Sequence, residues 1–510
     1  MYRTYTKWLG HDLFIPGLFA FVAFVLLIVT APNYGIFTDE FYFIACAKHL
    51  DLGYVDHPPF VAWITWLNLL FGNSLVVLRI FPALAYSATL LTVSKIARVL
   101  GGSVFASAIS SLALMSGMVF WIMFGYVSMN AYDIFFITLA SYFFIRSLNT
   151  SSARNWLILG IIVGIGVNTK MTMVIFAASM VVALLLTSQR RWFKTWFPYA
   201  TIGVACLMAL PYCMWQISNG FPTLEFIRNA SDKNLGLPVL SILGQLILST
   251  NPFVFPLWIS GLYWLIGSKQ LRSILPLPLS VVVFFCVYLL NRSKFYYMLP
   301  VIPLLVAAGS VAFEHWTSDR LRWLRHAAIV VLFSTGVLIL PIGLPIIPIG
   351  SFASFVHKLD FTNTFQTERN ESQIIPGYFG QRFGWQEFAQ TVAKVYYALP
   401  DSDRVKCGIL GFHYGESGAI DYYGPALGLP NAIGRHNSYW LWGTRGYTGE
   451  VLIVAISGKA RPEVYFEDIT LCATYELPYV DGPFRIHRIY VCRKPLEPFA
   501  TLWNTMRTYD

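Results

Sequence analysis

The chain has 510 residues, 56% of them hydrophobic and 16% aromatic, with only 12% charged and a mean hydropathy of +0.58. One soluble core cannot absorb that much apolar surface, so a bilayer must take part of it and an ordinary water-soluble protein is excluded. The net charge of +10 follows from the side of the membrane on which basic residues fall, and requires no nucleic-acid or acidic partner.

Apolar runs of membrane length occur at about 13–30, 75–96, 104–124, 132–147, 156–167, 171–187, 199–217, 239–266, 273–290, 295–312 and 327–349, which predicts a mainly α, polytopic membrane helical bundle of about 11 spans. Pro and Gly interrupt several of them, as membrane helices allow when neighbouring groups re-satisfy the backbone. The first run follows His11 and Asp12 without a small-residue cleavage site, and reads as a retained anchor. Counted over alternate short loops, basic residues number fourteen on one side, from Arg3 to Arg325, and seven on the other: Lys48, Arg79, Lys170, Arg228, Lys233, Arg292 and Lys294. That bias predicts a cytoplasmic N-terminus and puts the loop at about 31–74 outside, together with the C-terminal segment.

The membrane domain is expected over 1–350. From 351 to 510 the long apolar runs stop and Gly, Asp, Glu, Arg and His increase. Phe388, Val392 and Val395 have helical spacing within 386–397, and 405–411 and 451–456 are short strand-type runs, which predicts a small extracytoplasmic α/β domain. The aromatic, Gly-containing stretches 378–385 and 438–446 read as packing loops against the membrane domain. Cys46, Cys206, Cys213 and Cys286 are isolated in or near apolar runs; Cys407, Cys472 and Cys492 would allow one disulfide in an oxidising compartment, with the pair left open. No repeat, Walker motif or dinucleotide fingerprint is present, so nothing points to a nucleotide as donor or energy source.

The chemistry is concentrated after the first apolar run, in Thr38-Asp39-Glu40-Phe41-Tyr42 and Tyr54-Val55-Asp56-His57-Pro58-Pro59. A charge beside hydrocarbon costs roughly 2.5–3.5 kcal/mol even on lenient scales, and is tolerated where it lines a polar cavity. In a partly dehydrated cleft a carboxylate becomes a better proton acceptor for a hydroxyl. Asp39 and Glu40 are adjacent, so one catalytic carboxylate with a supporting neighbour is the simpler reading; the alternative is that either caps the following helix. The Pro pair presents Asp56 and His57 rigidly, though a lone histidine is more commonly hydrogen-bonded packing than a metal ligand. Asp133, in Ser128-Met129-Asn130-Ala131-Tyr132-Asp133, is a cavity candidate or a helix cap. Lys170, Arg292 and Lys294 are cations on the side that the charge bias depletes, where a lipid-linked phosphate would need them; interfacial snorkelling beside Tyr296 and Tyr297 is the alternative.

These residues in this order, with Gly164 to Lys170 ending in Asn-Thr-Lys, Lys-Phe-Tyr-Tyr-Met-Leu-Pro from Lys294, Tyr414-Gly415-Glu416 and His436-Asn437-Ser438-Tyr439-Trp440, resemble bacterial family 39 glycosyltransferases of the C-type superfamily. That group is similar to the protein O-mannosyltransferases and the aminoarabinose lipid A transferases. The resemblance implies a multi-pass protein of the bacterial inner (plasma) membrane that transfers a sugar from a polyprenyl monophosphate donor to a hydroxyl-bearing envelope acceptor on the outer face. It assigns the catalytic carboxylate to Asp39 with Glu40 beside it, and the donor phosphate to Lys170, Arg292 and Lys294, with Asp56, His57, Asp133, Tyr296 and Tyr297 as further substrate-binding candidates. Asp56-His57 stands where the aminoarabinose branch has Glu-Lys. The donor carries its own activated bond, so no ATP is needed, and a divalent cation is left open. The rival readings are a lipid or sugar transporter, disfavoured by polar clusters gathered at one face, and a non-catalytic envelope scaffold, which leaves the 39–59 cluster without a role.

Overall fold

The structure, a computed structural model, describes residues 14–150, 152–233, 235–318, 321–358, 374–458 and 460–510. Arg3, Lys7, His11, Asp12 and Arg320, used above for the orientation and the anchor, lie outside the described residues. The chain forms two compact units, one from Met1–Pro32, Phe71–Met214 and Gly236–Ile346, the other from Asn33–Leu70, Trp215–Leu235 and Ile347–Asp510.

The first unit is helical. Five described helices are long and apolar enough to cross a membrane, or up to seven if two bent pairs each form one span; Val104–Met115 meets Met118–Phe124 at 72° and Thr172–Leu185 meets Ser188–Lys194 at 104°. Shorter apolar helices include Phe14–Thr30, Ala153–Val167 and Pro276–Leu290. The run expected at 239–266 is two helices, Val239–Ser249 and Phe255–Gly267. The break has a local cause: Pro252 disfavours helix at Asn251, which turns left-handed at φ +77°. The Asn251 side chain satisfies freed groups by donating to Ser116 O and Thr335 Oγ1.

Helix Ile302–Trp316 is the most enclosed, with Ile302 to Ala312 buried without a gap. It meets Phe255–Gly267 at two glycines. A Cβ on Gly309 would stand 1.7 Å from Leu257 O, and one on Gly261 2.1 Å from Leu305 O, so the backbones touch where small residues permit it. Trp323–Gly343, in contrast, has only 17% of its apolar window buried and leaves Val330, Phe333, Val337 and Leu338 exposed. Water does not tolerate such a face and lipid does; the chain is a multi-pass membrane protein.

The second unit carries a five-stranded sheet of β1 (Cys407–Gly411), β2 (Ala432–Gly434), β3 (Val451–Ser457), β4 (Phe466–Glu476) and β5 (Ile486–Pro495), in the order β2-β1-β3-β5-β4. β2, β1 and β3 run parallel, with Ile409 opposite Ile453; β5 and β4 continue antiparallel. Leu410, Ile433, Leu452 and Val454 bury one face under Phe499, Leu502 and Trp503. The expected helix is Trp385–Tyr397, burying Phe388, Val392 and Val395. β4 and β5 were not legible, because β4 is an edge strand exposed at most positions and lacks an apolar run. Cys407, Cys472 and Cys492 are all free; Cys472 sits at an irregularity between Leu471 and Ala473, while Cys492 pairs opposite Ile469. The 378–385 stretch packs its Phe379 and Phe383 on Tyr34.

Candidate active site

Asp39, Glu40 and Asp56 gather in the second unit. Helix Thr38–Lys48 begins at the extended Phe37, and Glu40, fully buried, turns back so that its Oε2 accepts the Phe37 N–H at 2.9 Å. Capping therefore consumes Glu40. Asp39 remains half-buried and accepts the Tyr414 hydroxyl on Oδ1 at 2.8 Å. Asp56, also half-buried, accepts the Tyr42 hydroxyl at 2.6 Å, and Tyr42 stands 2.8 Å from Ser438 Oγ, which accepts the Val55 N–H at 3.1 Å. Burial and then the Asp56 charge push the Tyr42 hydroxyl well above its usual range, so it stays a donor. The Tyr42 and Tyr414 rings lie 4.9 Å apart and join the two carboxylate positions into one wall.

His57 is fully buried, with Nδ1 2.8 Å from Pro58 O, Nε2 3.8 Å from Cys46 Sγ, and its ring stacked on Tyr54. Its surroundings are aromatic. Among the described residues no group of three or more His, Cys, Asp or Glu is arranged to hold a metal ion.

The architecture explains the placement of Tyr414. β1 leads through Phe412 and His413 into helix Tyr414–Tyr423, and β2 leads into His436, so both groups stand at the carboxyl ends of parallel strands, the end at which α/β sheets present their ligands. Here helix Thr38–Lys48 packs against the helix that starts there.

The cations gather in the first unit. Lys170, in the short link between Ala153–Val167 and Thr172–Leu185, donates to Asn130 Oδ1 at 2.6 Å and lies 4.4 Å from the ring centroid of Tyr297 and 5.6 Å from that of Tyr296. Lys294 Nζ lies 6.0 Å from the Tyr296 centroid. The two tyrosines are thus ring partners of the ammonium groups. Burial pulls the Lys170 ammonium down to about 8; Asp133 opposes this and Lys294 adds to it. Asp133 is buried beside Lys170 and Thr172. Arg292 is exposed at a left-handed turn, φ +46°.

Asp39, Glu40, Asp56 and His57 thus fall in one unit, and Asp133, Lys170, Arg292, Lys294, Tyr296 and Tyr297 in the other. Sequence reasoning gave no role to Asn130, Tyr42, Ser438 or Tyr414. The only signal was their position inside stretches already singled out.

Residues 56–215 match the family described as dolichyl-phosphate-mannose-protein mannosyltransferase. In fold the chain resembles the crystal structure of ArnT from Cupriavidus metallidurans bound to undecaprenyl phosphate, with a TM-score of 0.62, 16% identity, and coverage of 93% of this chain and 97% of that one. The archaeal oligosaccharyltransferase AglB from Archaeoglobus fulgidus, in complex with an inhibitory peptide and a dolichol-phosphate, aligns at a TM-score of 0.50 and 11% identity over 81% of this chain and 63% of that one. These matches point the same way as the motifs, to a likeness with the C-type glycosyltransferases. The lipid A galacturonosyltransferase RgtD of Rhizobium johnstonii is 25% identical over 219 residues, 42% of this chain. The chain spans about half the length of that curated relative, 46%.

Proposed function

We propose that the chain is an inverting glycosyltransferase that moves a sugar from a polyprenyl monophosphate to a hydroxyl of an envelope acceptor on the outer face of the bacterial inner membrane. In this reading a bundle of about eleven spans within 1–350 starts with a cytoplasmic N-terminus, and 351–510 is extracytoplasmic. ArnT, seen with undecaprenyl phosphate, and RgtD, a lipid A galacturonosyltransferase, favour an undecaprenyl phosphate-linked donor and lipid A as acceptor.

One observation carries the assignment of the base: of the two adjacent carboxylates, Glu40 is fully buried as a cap and Asp39 keeps exposure at the first turn of its helix. Asp39 takes the proton of the acceptor hydroxyl as that oxygen attacks the anomeric carbon. The bond from that carbon to the phosphate oxygen breaks, and polyprenyl phosphate departs with the bonding pair. Lys170, Lys294 and Arg292 hold the phosphate, whose charge rises as the bond breaks. The donor carries its own activated bond, so no nucleotide is consumed. Asp56 and Asp133 orient the groups around them.

The test is turnover of purified full-length protein with undecaprenyl phosphate-linked galacturonic acid, aminoarabinose or mannose and lipid A, read by mass spectrometry. Asp39→Asn is expected to lower turnover by about 10²- to 10⁴-fold with the melting temperature unchanged. Wild-type turnover in that variant overturns the assignment.

A further inference from the structure

We infer that Tyr414 is a positioning residue for Asp39, so that the α/β sheet sets where the base stands and keeps it ionised. This rests on the reading of Asp39 as the proton acceptor. The two residues are 375 positions apart, yet the Tyr414 hydroxyl donates to Asp39 Oδ1 at 2.8 Å. A donor to a carboxylate favours its charged form, the form that can accept a proton, and removes rotational freedom from the side chain.

The donor itself has little room to move. Its ring stacks on His436 (centroids 5.0 Å apart, 6° between planes) and lies 4.9 Å from Tyr42, tilted by 30°, with His413 4.1 Å away. Behind them His436 Nε2 lies 2.7 Å from Asp510 Oδ1, which Lys233 Nζ approaches at 3.1 Å. The first turn of the helix is tied to the sheet by Glu416, fully buried, which accepts the N–H groups of Phe412 and His413 and lies 2.9 Å from His487 Nδ1 on β5.

The helix also meets the base-bearing helix directly. A Cβ on Gly415 would stand 2.6 Å from Thr38 Cγ2, and one on Gly418 2.6 Å from Phe41 Cβ, so two glycines one turn apart let Tyr414–Tyr423 seat against Thr38–Lys48 on both sides of Asp39. A phenylalanine would fill the same stack. The hydroxyl adds one thing, a proton donor aimed at the carboxylate.

The experiment reads Asp39 without any sugar substrate. Purified full-length protein is treated with a water-soluble carbodiimide and glycine ethyl ester across a pH series, and labelling of Asp39, which requires the protonated carboxyl, is followed by peptide mass spectrometry. In Tyr414→Phe the midpoint of Asp39 labelling is expected to rise by about one to two pH units, the size of one charge-assisted hydrogen bond. His436→Leu, which removes the ring behind Tyr414 but keeps the hydroxyl, is expected to move it the same way by less, and carries the test should Tyr414→Phe not fold. A midpoint equal to wild type in the folded variant overturns the inference. Turnover retained by Asp39→Asn sinks the base assignment instead, and leaves a shifted labelling midpoint intact.

Discussion

Asp39 and Glu40 show how neighbouring carboxylates acquire different work from their surroundings. Both lie in the first turn of the same helix, where the dipole favours negative charge, but only Glu40 turns back to the Phe37 N–H. Glu40→Ala should therefore cost stability, about 1–3 kcal/mol for a buried donor left without its acceptor, seen as a lower melting temperature, whereas Asp39→Asn should spare stability and remove turnover. At the other cluster Lys170 is the buried cation beside two tyrosine rings. Lys170→Met is expected to raise the KM for the polyprenyl-linked donor about tenfold or more, the loss of one charge-assisted phosphate contact, and to weaken the salt dependence of donor binding; an unchanged KM would remove Lys170 from the phosphate site. His57 shows the limit of motif reading. Its rigid presentation before two prolines was legible, but its burial against Tyr54, Tyr42 and Phe43 came from residues on two separate segments.

Among the elements, helices were legible wherever an apolar run was long, because lipid and protein interior both reward the same composition. Breaks were not. Pro252 marks the place in the run through 239–266, but the break there is completed by Ser116 and Thr335, far away in sequence, which accept the asparagine amide. Close helix contacts are equally tertiary: Gly261 and Gly309 carry no sign in the sequence that each faces a carbonyl. Gly309→Val should overpack this contact, where the added atoms have backbone opposite them, at a cost of about 1–3 kcal/mol or more. Thermal size-exclusion of detergent-solubilised protein should show early aggregation, with Gly203→Ala, where a Cβ meets nothing within 4 Å, as the comparison.

At the scale of the molecule, acid should loosen the sheet-bearing unit before it touches the membrane helices. His413 caps helix Tyr414–Tyr423 by accepting the Gly415 N–H on Nδ1 at 3.1 Å, which requires a neutral ring. Burial first, then the charges of His436 and Lys233, hold its pKa well below the ordinary value; burial lowers that of His49 as well. Each ring binds fewer protons folded than unfolded below about pH 6.5, so stability is lost as pH falls through that value. Asp510, held below the usual carboxylate range by His436 and Lys233 against its burial, contributes stability that begins to disappear only at lower pH, near the unfolded carboxylate value. Asp421, raised by burial, acts in the opposite sense there. Between pH 7.5 and 5.5 the histidines decide, and the loss contributed by His413 has an upper limit of about 1.4 kcal/mol per pH unit. Tryptophan emission melts should follow it. His413→Asn, which can cap without titrating, should flatten the slope; an unchanged slope would assign it elsewhere.

Composition and run length alone determined that this is a multi-helical membrane chain with an α/β portion, because hydropathy is a local property that every window carries. The ordering of Asp-Glu, Asp-His-Pro-Pro, Asn-Thr-Lys and Lys-Phe-Tyr-Tyr already pointed to the superfamily. Which of two adjacent carboxylates caps and which keeps exposure, that Lys170 lies against Tyr296 and Tyr297, and that a tyrosine at the start of the helix after β1 reaches Asp39 were decided only by tertiary structure. Each depends on atoms brought together from far along the chain, and hydrogen bonds and ring contacts act over a few ångströms of space, whatever the distance in sequence.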